Sequence, residues 1–204
     1  MKILYKIAPF LLLFAACGSV PDTVAPQNFT AQSSNGLAIG TITFEGDRPV
    51  NDIYRFFYEA TTGDKKFMKR NSGKIMIKAR EGNDRAFTGD FNNKKTYLFV
   101  IEREPGSYAF TQYNYLDRIG ATGMVSSSEK FSIPFSIQAG IISYIGEFTY
   151  NDKAVPGTPR IVVSDNMSRD MDEFRKKFPN INWDNTLNNT VKSGHTGKGI
   201  IEFR

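Results

Sequence analysis

Phe131-Ser132-Ile133-Pro134-Phe135-Ser136-Ile137 sets a large apolar side chain at every second position, with serine or proline between. Successive side chains of an extended chain point to opposite faces, so this run puts Phe131, Ile133, Phe135 and Ile137 on one face and leaves the other polar. A helix would scatter the same residues around its axis. The segment reads as a half-buried strand. Pro134 has no N–H to give a neighbour, which places it at a sheet edge or a bulge. Ala139-Gly140 then turns the chain at a position that tolerates φ > 0, and Ile141 to Phe148 reads as the returning arm of a hairpin.

Working outward, the same period recurs between turn residues. Leu37 to Phe44 reads as a first strand, ended by Glu45-Gly46-Asp47-Arg48-Pro49. Ile53 to Ala60 follows and closes at Thr61-Thr62-Gly63-Asp64. In Gly73 to Ala79, the residues Ile75, Ile77 and Ala79 share one face, and Lys74, Met76 and Lys78 take the solvated one. Tyr97 to Ile101 is a nearly unbroken apolar run and reads as a central strand. Pro105-Gly106 turns into Ser107 to Thr111, and Ile200 to Phe203 reads as a last short strand. One helix is expected over residues 168–178. Ser168 is its N-cap, Asp170, Asp172 and Glu173 lie in the first turn, Arg175 to Lys177 in the last, and Pro179 stands beyond. Met171, Phe174 and Phe178 form its apolar stripe, so it should lie over the sheets with that stripe inward. The asparagine-rich segment 180–198 reads as a polar loop. The expected fold is mostly β: an antiparallel β-sandwich with one short C-terminal helix packed on it, after an N-terminal signal peptide.

Pro105-Gly106-Ser107-Tyr108-Ala109-Phe110, followed by Phe135 to Gly140 and Tyr144-Ile145-Gly146, resembles a group of bacterial lipoproteins. In that group a PGxYxF strand precedes an F-x-V-x-A-G-x-x-x-Y-x-G hairpin. The resemblance spans roughly residues 98–148 and implies a sandwich of the transthyretin-like or carboxypeptidase-regulatory-like kind. It implies fold and compartment and carries no reaction.

The first nineteen residues agree with that compartment. Lys2 and Lys6 lead an apolar run that ends in Phe14-Ala15-Ala16-Cys17-Gly18-Ser19. A basic start, an apolar stretch of about a dozen residues and small residues before a cut are the parts of a secretory signal. The chain's one cysteine, Cys17, stands where a bacterial lipoprotein carries its lipid. Residues 3–16 include a Lys and a Pro and fall short of the ~20 residues a spanning helix needs. The expected division is a cleaved signal over 1–16, a lipidated flexible tether over 17–34, and one sandwich domain over 35–204. Gly18 rather than Asp after Cys17 points to the outer membrane, with the domain facing the periplasm. Asp22-Thr23-Val24 resembles an O-glycan acceptor of bacterial envelope proteins, although a plain linker accounts for it as well.

Composition excludes several chemistries. The formal charge of +5 becomes +3 once Lys2 and Lys6 leave with the signal, and the remaining charges are dispersed, so no nucleic-acid partner is expected. With Cys17 lipidated, disulfides and thiolate metal sites are excluded, and a single histidine excludes a histidine-based metal cluster. His195 lies in Ser193-Gly194-His195-Thr196-Gly197-Lys198-Gly199, where the glycine spacing is too short for a phosphate loop; it reads as a flexible surface loop. Neither Ser72 nor Ser107 sits in a Gly-x-Ser-x-Gly elbow. Asp165-Asn166 with Asp170 and Asp172 lacks calcium-loop spacing and reads as helix-start charge. Tyr113 and Tyr115 are candidate ligand contacts on an exposed part of a strand, and edge cover of the core is the plainer account. No cofactor or metal is called for. The expected function is a membrane-anchored, non-catalytic binding or assembly module for an envelope protein or glycan. The alternative is an envelope hydrolase using paired carboxylates on glycans, which needs two acids about 5–10 Å apart across a cleft.

Overall fold

In the computed structural model every residue of the first strand, β1 (Gly36–Phe44), is buried, a pattern that requires cover on both faces. Ala38, Ile42 and Phe44 point into a core between two sheets, whereas Leu37 and Ile39 point the other way into a second apolar cluster. The structure describes residues 24–79, 86–119 and 122–204. The signal segment 1–16, Cys17 and the Asp22-Thr23 motif lie outside the described residues.

After β1 come β2 (Ile53–Ala60), helix α1 (Lys65–Arg70), β3 (Gly73–Lys78), β4 (Thr96–Arg103), β5 (Gly106–Ile119), β6 (Thr122–Ser127) and β7 (Ile133–Ile137). They are followed by β8 (Ile142–Tyr150), β9 (Ile161–Ser164), helix α2 (Met167–Lys177), β10 (Leu187–Asn188) and β11 (Ile201–Phe203). Among the described residues the first sheet runs β11-β9-β8-β1-β4 with β10 also on β8, and the second runs β3-β2-β5-β6 with β7 also on β5. The chain is thus mostly β, in two sheets, with α2 near the C-terminus. The second sheet is antiparallel throughout. The first is mixed: β8 runs parallel to β1, and β11 parallel to β9. Parallel neighbours need a long crossover, which the whole second sheet provides between β1 and β8.

The expected hairpin at Gly140 is an arch instead. β7 pairs with β5 in the second sheet, while β8 lies beside β1 in the first. Gly140 does adopt φ +68°, and its N–H donates to the Asn35 carbonyl at 2.9 Å. Two apolar strands around a tight turn look alike in sequence whether they pair edge to edge or face each other across a core. β4 likewise is not central but ends the first sheet. Its unbroken apolar run reflects two covered faces, Phe99 and Ile101 toward one cluster and Leu98 and Val100 toward the other. Asp90 covers part of its free edge by accepting the Leu98 N–H at 2.8 Å. Pro134 sits in β7, which has β5 as its strand partner, as its missing N–H requires.

The inner core is aromatic. Tyr150 lies 5.3–5.7 Å, ring centre to ring centre, from Phe44, Tyr54, Phe56 and Tyr113, and Phe110 meets Phe148 edge-on at 5.1 Å. Such edge-on pairs contribute beyond the area they bury. Helix α2 covers the outer face of the first sheet through Met171 and Phe174, with Phe178 just past its end. It starts one residue before the expected N-cap: Ser168 is inside the helix, Asn166 occupies the cap without a side-chain bond, and Asp165 accepts the Met167 N–H at 3.0 Å.

Two expected boundaries move. Segment 180–198 is a strap rather than a solvated loop: Ile181, Trp183 and Val191 are buried, and the N–H groups of Asn189 and Val191 donate to β8 carbonyls at 2.8 and 3.1 Å. Within the span expected as tether, Ala25 and Phe29 are buried in the outer cluster, and Asn180 Nδ2 donates to the Pro26 and Gln27 carbonyls at 3.1 and 2.7 Å. The folded body therefore begins ahead of Asn35. A chain beginning at Asn35 should keep a β-type far-UV spectrum but unfold in urea with about 1.5–3 kcal/mol less stability than one beginning at Val24, the contribution of one buried phenylalanine. Equal midpoints would show that Phe29 adds nothing.

Candidate functional site

The outer face of the first sheet has an apolar half under α2 and a polar half beside it. Thr41 and Thr43 continue the outward positions of β1, and Thr96 that of β4. Glu147 joins them because of an irregularity. The β1–β8 register shifts between Ile39 and Thr41, opposite Gly146, whose φ of +121° is open to glycine. The shift turns Glu147 outward and returns Phe148 and Tyr150 to the inner core.

Two carboxylates meet there on one guanidinium. Arg169 Nη2 lies 2.8 Å from Glu147 Oε1 and 2.6 Å from Asp170 Oδ1. Asp170 Oδ2 accepts from Thr41 Oγ1 at 2.8 Å and from the Tyr144 hydroxyl at 2.7 Å, and Oδ1 also takes Arg169 Nε at 2.8 Å. Glu147 accepts further from Thr43 Oγ1 and Asn166 Nδ2. Asp170 is 0% exposed and Glu147 4%. Burial holds the Asp170 carboxyl above the usual carboxylate range against the pull of Tyr144, Thr41 and Arg169. Partial burial works against the Arg169 charge, and Glu147 and Asp170 outweigh it.

A hydrolytic acid pair needs an oxygen that substrate or water can reach. Here every carboxylate oxygen already accepts from the protein, and both groups are closed to solvent. The arrangement docks α2 onto the sheet. Asp170, expected as a helix-start charge, is instead a buried ion-pair partner, and Glu147 belongs to no motif in the sequence. The available signal is a lone charged residue, directly after Gly146, in the run 141–150.

The β1–β2 and β8–β9 loops border an open cleft of about 480 Å³ at one end of the sandwich, whose lining includes the carboxylates Glu45, Asp47 and Asp152 and the cations Arg48 and Lys153. Asp152 is tied into its wall, accepting from the Tyr54 hydroxyl, from Asn51 Nδ2 at 3.2 Å and from the Val50 N–H at 3.2 Å. Tyr113 and Tyr115 face inward, because they stand opposite Phe56 and Tyr54 in the β2–β5 register. Tyr113 is 5% exposed and packs on Phe56, Phe131 and Tyr150, so its ring is closed to a ligand; Tyr115 is half-buried beside Tyr54. Arg160 reaches the same end and donates to the Asp152 and Ala154 carbonyls at 3.0 and 2.9 Å.

The loop around His195 is pinned rather than free: its N–H and carbonyl form a two-bond bridge with Ser132 at 3.0 and 2.9 Å, while its side chain is exposed. Gly194 makes that approach possible, since a Cβ there would stand 2.1 Å from the Ser132 carbonyl oxygen. The acids at the start of α2 diverge, Asp165 toward Asn188, Asp170 into the sheet and Asp172 toward Arg175. Among the described residues no three His, Cys, Asp or Glu side chains are grouped to hold a metal ion. Comparison with family models, curated proteins and solved structures found no match for this chain.

Asp170→Ala should cost about 3 kcal/mol, the lower end for breaking a buried pair because Arg169 keeps part of its hydration. Urea unfolding followed by Trp183 fluorescence measures it, since Trp183 packs 5.3 Å from Phe174 of α2. Because the folded state raises the Asp170 pKa, that group's proton-linked stability is present at acid pH and falls as pH rises through the raised value; Asp170→Asn should remove this slope.

Burial raises the hydroxyl pKa of Tyr54, Tyr108, Tyr113, Tyr144 and Tyr150, with Tyr108 and Tyr113 pushed up to about 12. Their contribution is complete below the unfolded value of about 10 and is lost as pH rises through the folded values. Tyrosinate absorbance from these rings should therefore appear together with unfolding above pH about 10. Their titration near pH 10 with the far-UV spectrum intact would contradict the packing described.

Proposed function

We propose that the chain is a lipid-anchored protein of the bacterial envelope, held through Cys17 at the periplasmic face of the outer membrane, and that its domain is a non-catalytic binding or assembly module. One observation carries the non-catalytic part: the closely spaced carboxylates Glu147 and Asp170 are closed to solvent and bonded on every oxygen by the protein's own donors. The glycan-hydrolase reading needs an acid pair that faces a cleft; the carboxylates at the open cleft are Glu45, Asp47 and Asp152, of which Asp152 is engaged by Tyr54, Asn51 and the Val50 N–H. The anchor rests on the basic, apolar and small-residue layout that ends at Cys17. No helix among the described residues is long and apolar enough to cross a membrane.

In bacteria expressing the full chain, a palmitate analogue should label the wild-type protein in the envelope fraction. Cys17→Ser should lose the label and appear unprocessed or soluble. Labelling of the serine variant would overturn the anchor.

A further inference from the structure

The outer face of the second sheet lies on the far side of the sandwich from α2. The solvated face of an antiparallel sheet is ordinarily polar. Here the β2–β3, β2–β5 and β5–β6 registers align Phe57, Met76, Ile53, Leu116 and Val125 on one surface. Met76 is 43% and Val125 55% exposed, and Phe57, Ile53 and Leu116 are half-buried between their neighbours. Cations stand around them: Lys74 opposite Phe57, Lys78 opposite Ile53, Arg55 opposite Met76, and Lys130, whose Nζ meets Gln112 Oε1 at 3.3 Å. Glu59, the next outward position of β2 beyond Phe57, is the one carboxylate in phase with the outward residues of β2 and β3.

We propose that this face docks an acidic protein, whose carboxylates meet Lys74, Lys78 and Arg55 around an apolar patch that fits Met76, Phe57 and Val125. An apolar centre with a charged rim is the usual anatomy of a protein interface, and complementary charge supplies its steering and register. A second copy of this chain fits poorly, because a two-fold contact through this face would bring lysines against lysines. The chain that leads back to the anchor joins the body on the opposite side. Ala25 and Phe29 are fixed on the α2 side, and the eight residue steps from Ala25 back to Cys17 reach at most about 29 Å. This orientation rests on the lipid-anchor reading, whereas the chemistry of the partner does not.

The test places a photo-crosslinking amino acid at Met76 of the full chain in bacteria, with a control at Leu187, which is 46% exposed on the other sheet. An adduct with another protein should form from Met76 and not from Leu187. Its yield should fall about tenfold in Lys74→Glu/Lys78→Glu, and also in Lys74→Gln/Lys78→Gln should the reversed pair fold poorly, with melting checked for each. An adduct insensitive to those lysines, an adduct of this chain with itself, or no protein adduct together with lysine-dependent binding to phosphatidylglycerol vesicles would each overturn the proposal. Repeating the crosslink with Cys17→Ser in cell extract separates the two readings, because a lysine-dependent adduct from unlipidated chain keeps the docking surface even if the anchor fails.

Discussion

Asp170 is buried as a charge partner at the border between the apolar and polar halves of the sheet's outer face, and the seating of α2 on the first sheet follows from how that is achieved. An isolated carboxylate in such a place would be prohibitively costly. Arg169 from the same helix turn, Thr41 from β1 and Tyr144 from β8 supply its donors, so the helix can sit at one angle and one depth on the sheet. The apolar half of the contact, Met171 and Phe174 against Leu37, Ile39 and Tyr144, would tolerate sliding; the ionic half does not.

The two halves of the outer face also explain the bulge at Gly146. A regular β8 would alternate from Tyr144 so that Glu147 pointed into the inner core and Phe148 and Tyr150 pointed out of it. One added position reverses the phase, so the carboxylate is turned out of the core and the Phe148 and Tyr150 rings are turned into it. The N-terminal segment and the strap of residues 180–191 then seal the rim of the helix layer through Phe29, Ile181 and Trp183, with the Trp183 indole N–H donating to the Phe178 carbonyl at 3.0 Å. Among the described residues the second sheet carries no such layer on its outside, and there Met76 is exposed between Lys74 and Lys78, with Val125 exposed at the other edge.

Much of the fold was legible because side-chain period is a local property. The bounds of β2 and the inward face of β3 follow from alternation alone, and α2 announces itself by acids first, bases last and a stop at Pro179. Tyr108 and Phe110 are core, as strand aromatics usually are. The candidate residues were less legible. Tyr113 has the same alternation as a surface tyrosine would have, and its register against Phe56 puts it inside. Glu147 and Arg169 lie 22 residues apart and meet only because α2 folds back over β8.

The amino-acid sequence by itself determined strand identity, the helix and its apolar stripe, and the positions where the chain must turn, since each depends on interactions within a few residues. Which sheet a strand joins was decided only by tertiary structure. The arch at Gly140, the edge position of β4, the parallel β1–β8 pair and the placement of Phe29 in the helix layer depend on closing contacts between segments distant in the chain. Local pattern specifies which face of a segment must be covered; only the assembled structure specifies what covers it.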